Sequence, residues 1–157
     1  MIPTLSLFQA HPQPRTPIDV AVQQTRALYE AGGLILFGTD AGFTDEFDTR
    51  PELLLMQQAI GWRGVFSSLT SAPARMFGEA ALRGRIEAGL MADLVLIGGD
   101  PAIDITALAD VRLVLRGGAI IYDSELTPPQ ASVELTVVAP ASSATCDNPQ
   151  AIPPSES

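Results

Sequence analysis

The sequence predicts an α/β protein made of βα units followed by a small β-rich layer. Three observations carry that class. Apolar strand-like runs alternate with helical stretches from Ile2 to Gly78. The run "LILFG" at 34–38 is apolar without alternation, the pattern of a strand covered on both faces in a parallel sheet. Near Gly84 the pattern changes to short strands punctuated by glycine turns. The chain has 157 residues and 46% hydrophobic content, enough for about one domain with a real core.

In chain order, "MIPTLSLF" is short, apolar and β-prone, and the prolines of "HPQPRTP" stop it, so it reads as a buried strand running into a loop. A helix signal starts at Thr16, with Pro17 at the first helical position. Ile18, Ala21, Val22, Thr25, Leu28 and Tyr29 then recur at helical spacing on one face, and Gly32 and Gly33 close the element. After "LILFG" and a polar loop, Thr49 and Glu52 stand three apart in a capping-box arrangement. Leu53, Met56 and Ile60 form a short helical stripe ending at Gly61. "GVFSSLTSAPARMFG" predicts a further helical stretch, broken near Pro73 and closed at Gly78.

The second half is β-rich. "GRIEAGLMADLVLIGGDP" predicts a short strand, a turn at Ala88-Gly89, and a second strand ending in a Gly-Asp-Pro turn. "VRLVLRGGAIIYD" predicts a hairpin, with Gly117-Gly118 supplying the positive φ angles of a tight turn. "SVELTVVA" at 132–139 is a candidate for one more strand. The remaining residues are rich in proline and small polar groups and predict a disordered tail. Cys146, the single cysteine, lies there and reads as an exposed spectator thiol.

Nine basic residues against 18 acidic ones give a net charge of −9, which argues against nucleic acid and anionic membrane surfaces as partners. No apolar run is long enough to span a bilayer, and the N-terminus lacks the basic start and long apolar core of a signal peptide. One cysteine cannot form an internal disulfide, so nothing demands an oxidising compartment and the cytoplasm is the default.

Several stretches carry a resemblance to a known family. "IPTLSLF", "LYEAGGLILFGTDAG", "PELLLMQQAIG", "LTSAPARMFG", "GRIEAGLMADLVLIGGDPAIDI" and "VRLVLRGGAIIYD" stand in the order and near the spacing of the C-terminal part of metal-dependent amidohydrolases. The similarity runs from about Ile2 to Asp123 and lies closest to the imidazolonepropionase-like and prolidase-like branch. Ala88 departs from the family, which often has proline before the glycine of that turn. The resemblance implies the last part of a (β/α)8 TIM-like barrel over residues 1–83, a small β-sandwich over 84–138 and a tail over 139–157. It also implies that the chain is incomplete as a barrel, because two strands of eight leave open edges and apolar faces that favour association with another chain or with itself.

By the resemblance, Asp40 at the end of "LILFGTD" is the metal-site and catalytic aspartate, which takes a proton from metal-bound water. Strand C-terminal ends are where such barrels place their active sites. Taken alone, a strand-end aspartate reads as a turn or helix-cap acid; the ordered motifs favour the catalytic reading. The implied cofactor is a divalent metal, zinc above others, and the implied substrate is a small amide or cyclic amide cleaved at a carbon–nitrogen bond other than a backbone peptide. The family's His-x-His pair, lysine and further histidines have no counterpart here: the chain contains no lysine, and its single histidine is His11. Zinc needs three or four protein ligands, so the chain is expected to be inactive alone. His11 reads as a solvated loop residue, with replacement ligand and substrate contact as alternatives. Asp45, Glu46 and Asp48 form an acidic loop that reads as solvated rather than as a calcium site, and as a rim disfavouring anionic substrates. The alternative to a hydrolase is a non-catalytic remnant serving as a structural or interaction module.

Overall fold

The computed structural model of the protein describes residues 1–10, 17–41 and 47–126. Four α-helices come first: α1 (Leu5–Ala10), α2 (Ile18–Glu30), α3 (Arg50–Leu69) and α4 (Ser71–Met76). A three-stranded antiparallel sheet follows, built from β1 (Leu94–Ile97), β2 (Val111–Arg116) and β3 (Ala119–Asp123) in the order β1-β2-β3. A 3-10 turn over Ile105–Ala109 joins β1 to β2. The class is α/β as expected. The strand at 132–139, the tail and Cys146 lie outside the described residues.

The first expected strand is corrected. Leu5–Ala10 is helical, and only Met1–Thr4 is non-helical. The cause is an N-terminal cap supplied from far along the chain: Glu52 of α3 accepts the backbone N–H groups of Leu5 at 2.9 Å and Ser6 at 2.6 Å. Those donors are orphans at any helix start, and a distant carboxylate satisfies them where local β-propensity would leave them to a sheet. Thr4, just before the helix, takes φ 45°.

The segment 34–39 is extended, although it is not a regular strand among the described residues. The Met1 amino group donates to the Leu34 carbonyl at 2.7 Å, and Leu36 N–H donates to the Met1 carbonyl at 2.8 Å. One residue bonded to both flanks of Ile35 in this way is the local pattern of a parallel pairing. Ile35 and Leu36 are both buried, which explains the unbroken apolar run.

Helix α2 begins one residue later than expected, with Pro17 as its cap at φ −58° and ψ 145°. Its Ala21, Val22 and Thr25 are buried, while Leu28 and Tyr29 stay largely exposed. In α3 the expected stop at Gly61 is a kink, with φ 69° and ψ 167°, a conformation nearly restricted to glycine. Arg26 of α2 donates to the carbonyls of Ala59 and Gln58, just before that kink. The second break falls at Thr70 (φ −127°, ψ −85°), and Pro73 sits within α4, where a first-turn proline is tolerated.

The capping box at Thr49 is corrected as well. Thr49 makes no side-chain cap bond; Asp48 accepts the Arg50 N–H at 3.0 Å instead, and Glu52 is turned into the core. That core gathers Leu5, Val22, Ile35, Leu53, Met56, Ile60, Val65 and Ile105. Ile105 ties the 3-10 turn to α3, so the sheet region packs on the helices through it.

No strand forms at 84–88, which corrects the expected short strand; the turn that follows is present, with Glu87 carbonyl accepting Leu90 N–H at 3.2 Å and Gly89 at φ 93°. The hairpin forms as expected, with Gly117 at φ 57° and Gly118 at φ 84°. Asp93 holds that turn, accepting Gly117 N–H at 2.7 Å through one oxygen and pairing with Arg83 at 2.9 Å through the other. The sheet remains open to solvent: Val95, Leu96, Ile120 and Ile121 are all exposed.

Candidate functional site

Asp40 sits where the extended segment 34–39 ends, and the links holding that segment come from distant parts of the chain. The segment is fixed to the N-terminal arm by the two Met1 hydrogen bonds and to α3 by Phe37 N–H donating to the Ser68 carbonyl at 3.3 Å. Two residues before Asp40, Gly38 lies against Ile2: a Cβ at Gly38 would stand 2.5 Å from Ile2 Cγ2, so a side chain there would displace Ile2. Asp40 itself adopts φ 51° and is solvent-exposed. Aspartate is among the few residues that tolerate this left-handed conformation. The arrangement presents an exposed carboxylate at the end of a buried segment. Chemically it can accept a proton or contribute one oxygen ligand to a cation.

The other expected site groups fall apart from it or beyond view. His11, Asp45 and Glu46 lie outside the described residues, while Asp48 is exposed and occupied by Arg50 at 3.2 Å. Among the described residues no group of three or more His, Cys, Asp or Glu side chains comes close enough to hold a metal ion. Tested against the donor set a divalent metal requires, the described residues therefore do not fit a complete metal centre.

Glu52 was missed as a buried anchor. Its relative exposure is 0%, and it lies one turn from Met56 on the same helical face. A carboxylate within the apolar stripe was the available signal; the Thr49–Glu52 spacing masked it by suggesting a local cap. A separate cleft of about 840 Å³ lies between the second half of α3, α4 and β1, walled by Trp62, Phe66, Phe77, Leu94 and Val95. Asp40 is not part of its lining.

The α/β arrangement that presents Asp40 resembles solved structures of hydrolases. No protein-family model and no curated protein matches the chain. Among solved structures, a Xaa-Pro dipeptidase with methionine bound in its active site superposes with a TM-score of 0.64 and 26% identity, over 78% of this chain and 34% of that one. A Bifidobacterium longum protein designated a prolidase has a TM-score of 0.55 and 31% identity, over 67% of this chain and 27% of that one. An amidohydrolase from Thermotoga maritima shares the fold at a TM-score of 0.56 and 23% identity, over 76% of this chain and 34% of that one. These structural neighbours are amidohydrolase-superfamily enzymes, and this chain is similar to about a third of the length of each. No helix of the described residues is long and apolar enough to cross a membrane.

Proposed function

We propose that the chain is the C-terminal portion of an amidohydrolase-family hydrolase that cleaves carbon–nitrogen bonds other than backbone peptides, in small amides or cyclic amides. On this reading residues 1–83 correspond to the closing βα units of a (β/α)8 barrel, residues 84–138 to a small β-sandwich, and Asp40 to the catalytic carboxylate. The observation that carries it is the match to the Xaa-Pro dipeptidase over 78% of the chain. The left-handed Asp40 at the end of a buried segment supports the assignment of the residue, since strained backbone concentrates where a side chain must be aimed.

Asp40 acts as general base toward the attacking water and returns the proton to the leaving nitrogen, a role that requires an ionised, reachable carboxylate. A divalent metal, zinc by the family resemblance, would supply Lewis acidity to such a site, with Asp40 as one of its ligands. The described residues do not complete its ligand set, so the remaining ligands belong to chain segments beyond these residues, and the chain alone is inactive. The exposed apolar side chains of the sheet, with Phe77 and Ile86, are the surface on which it associates with them.

A second reading, a non-catalytic structural or interaction module, is favoured by one observation: the whole chain contains a single histidine and no lysine. Supplying the chain in trans to a Xaa-Pro dipeptidase lacking the matching third separates the two. Turnover of a small amide or a cyclic amide that appears with the chain and vanishes with Asp40→Asn supports the hydrolase. A complex that forms and stays inert supports the module, and failure to associate removes the basis of the hydrolase reading.

A further inference from the structure

We infer that Glu52 is a positioning residue for Asp40, setting the backbone conformation that aims its carboxylate. The inference rests on the reading of Asp40 given above. It starts from a buried acid that the proposed chemistry does not use. Glu52 is fully buried and spends both carboxylate oxygens on the N–H groups of Leu5 and Ser6. Charge-assisted bonds of this kind are about twice as strong as neutral ones, and here they span 46 and 47 positions of sequence.

The consequence runs along the N-terminal arm. Fixing Leu5 and Ser6 to α3 fixes where Thr4 must turn, at φ 45°, and hence where Met1–Pro3 lies. Met1 pairs with both flanks of Ile35, and Ile2 packs against Gly38 at a separation that admits no Cβ. Gly38 is two residues before Asp40, which takes φ 51°, so only Thr39 separates that packing from it. Two non-glycine residues with positive φ, Thr4 and Asp40, thus follow the same end of one parallel pair of segments, and Glu52 fixes that end through Leu5 and Ser6.

The test uses the full chain, labelled for NMR, with Glu52→Gln as the variant. Glutamine keeps the shape but presents an N–H₂ to one of the two donors, breaking one bond. Expected are a fall of about tenfold or more in amide-exchange protection at Leu5 or Ser6, and a marked weakening of the strong intraresidue HN–Hα NOE that a positive φ gives Asp40. Helical circular dichroism stays unchanged, and Glu52→Asp, too short to span both donors, behaves as Glu52→Gln. Loss of protection at Leu5 and Ser6 with the Asp40 NOE intact would overturn the inference, leaving Glu52 as a cap of α1 only. Should the variants not fold, exchange in the unmutated chain decides: Leu5, Ser6 and Leu36 amides opening together support the coupling, and Leu5 and Ser6 opening independently of Leu36 refute it. None of these readouts needs metal or turnover, so an Asp40 that proves non-catalytic leaves this coupling measurable by itself.

Discussion

The carboxylate of Glu52 in α3 accepts the backbone N–H of Leu5 at 2.9 Å, joining two residues 47 positions apart at the centre of the fold. Its second oxygen takes Ser6 N–H at 2.6 Å. Removing it leaves helix-start donors without partners and a void beside Met56. Glu52→Ala is therefore expected to cost about 3 kcal/mol, since each stranded buried donor costs roughly 1–3 kcal/mol. Urea denaturation measures it; a loss below about 1 kcal/mol would mean that water replaces the carboxylate without penalty.

Thr4 carries the strain of that arrangement. A β-branched residue at φ 45° is a backbone outlier, with a cost on the order of 1–3 kcal/mol. Thr4→Gly is expected to be neutral or to raise stability by up to about 1 kcal/mol, because relief of strain outweighs the added freedom of the unfolded chain. Thermal unfolding reads the sign. A clear fall in Tm would show that Thr4 contributes packing that exceeds its strain.

Gly61 offers a case in which contacts with the rest of the fold play no part. An added Cβ meets no heavy atom within 4 Å, yet φ 69° with ψ 167° lies in a region nearly closed to other residues. Gly61→Ala should destabilise by about 1–3 kcal/mol and more than Gly32→Ala, whose added Cβ also meets nothing, at φ 82°. The reverse order would show that α3 runs through the kink without strain.

Asp104 caps the 3-10 turn, and hydrogen bonds from the Thr106 hydroxyl and the Thr106 backbone N–H hold its pKa below the ordinary aspartate value. A carboxylate depressed in the folded state stabilises it above the unfolded pKa, and that contribution disappears as pH falls through the folded value. The window thus lies below about pH 4. Thr106→Val removes the hydroxyl hydrogen bond, the larger of the two contributions, so the Asp104 titration should move upward and the acid-side loss of stability should shrink. A carboxyl-carbon NMR titration unchanged by the substitution would contradict this.

Much of the architecture was legible because its causes are local. Apolar spacing located α2, the Gly117-Gly118 pair located the hairpin, and Gly61 located the break in α3. The misreadings share a non-local cause. "LSLF" has strand propensity but becomes helical because Glu52 caps it from α3, and Glu52 fits a local capping box by spacing while its side chain reaches the other way. The absent strand at 84–88 has a related origin: Gly84 takes φ 96° and packs so closely on Ala74 that a Cβ would stand 2.5 Å from its methyl, so the chain bends where a strand would extend. For the site, the motif "ILFGTDAG" located Asp40 at the end of a buried segment, but neither its left-handed backbone nor its dependence on Ile2 and Gly38 can be read from local pattern.

The central claim is that Asp40 is the carboxylate this chain contributes to a metal-assisted hydrolytic site. Titrating Mn²⁺ into the isotopically labelled chain and mapping paramagnetic broadening tests it most directly, with Asp40→Asn as the control because asparagine also tolerates the left-handed conformation. The account predicts broadening centred on Gly38–Ala41 that is lost in the variant. Broadening centred on another acidic group such as Asp100 or Asp104, or unchanged by the substitution, would contradict it.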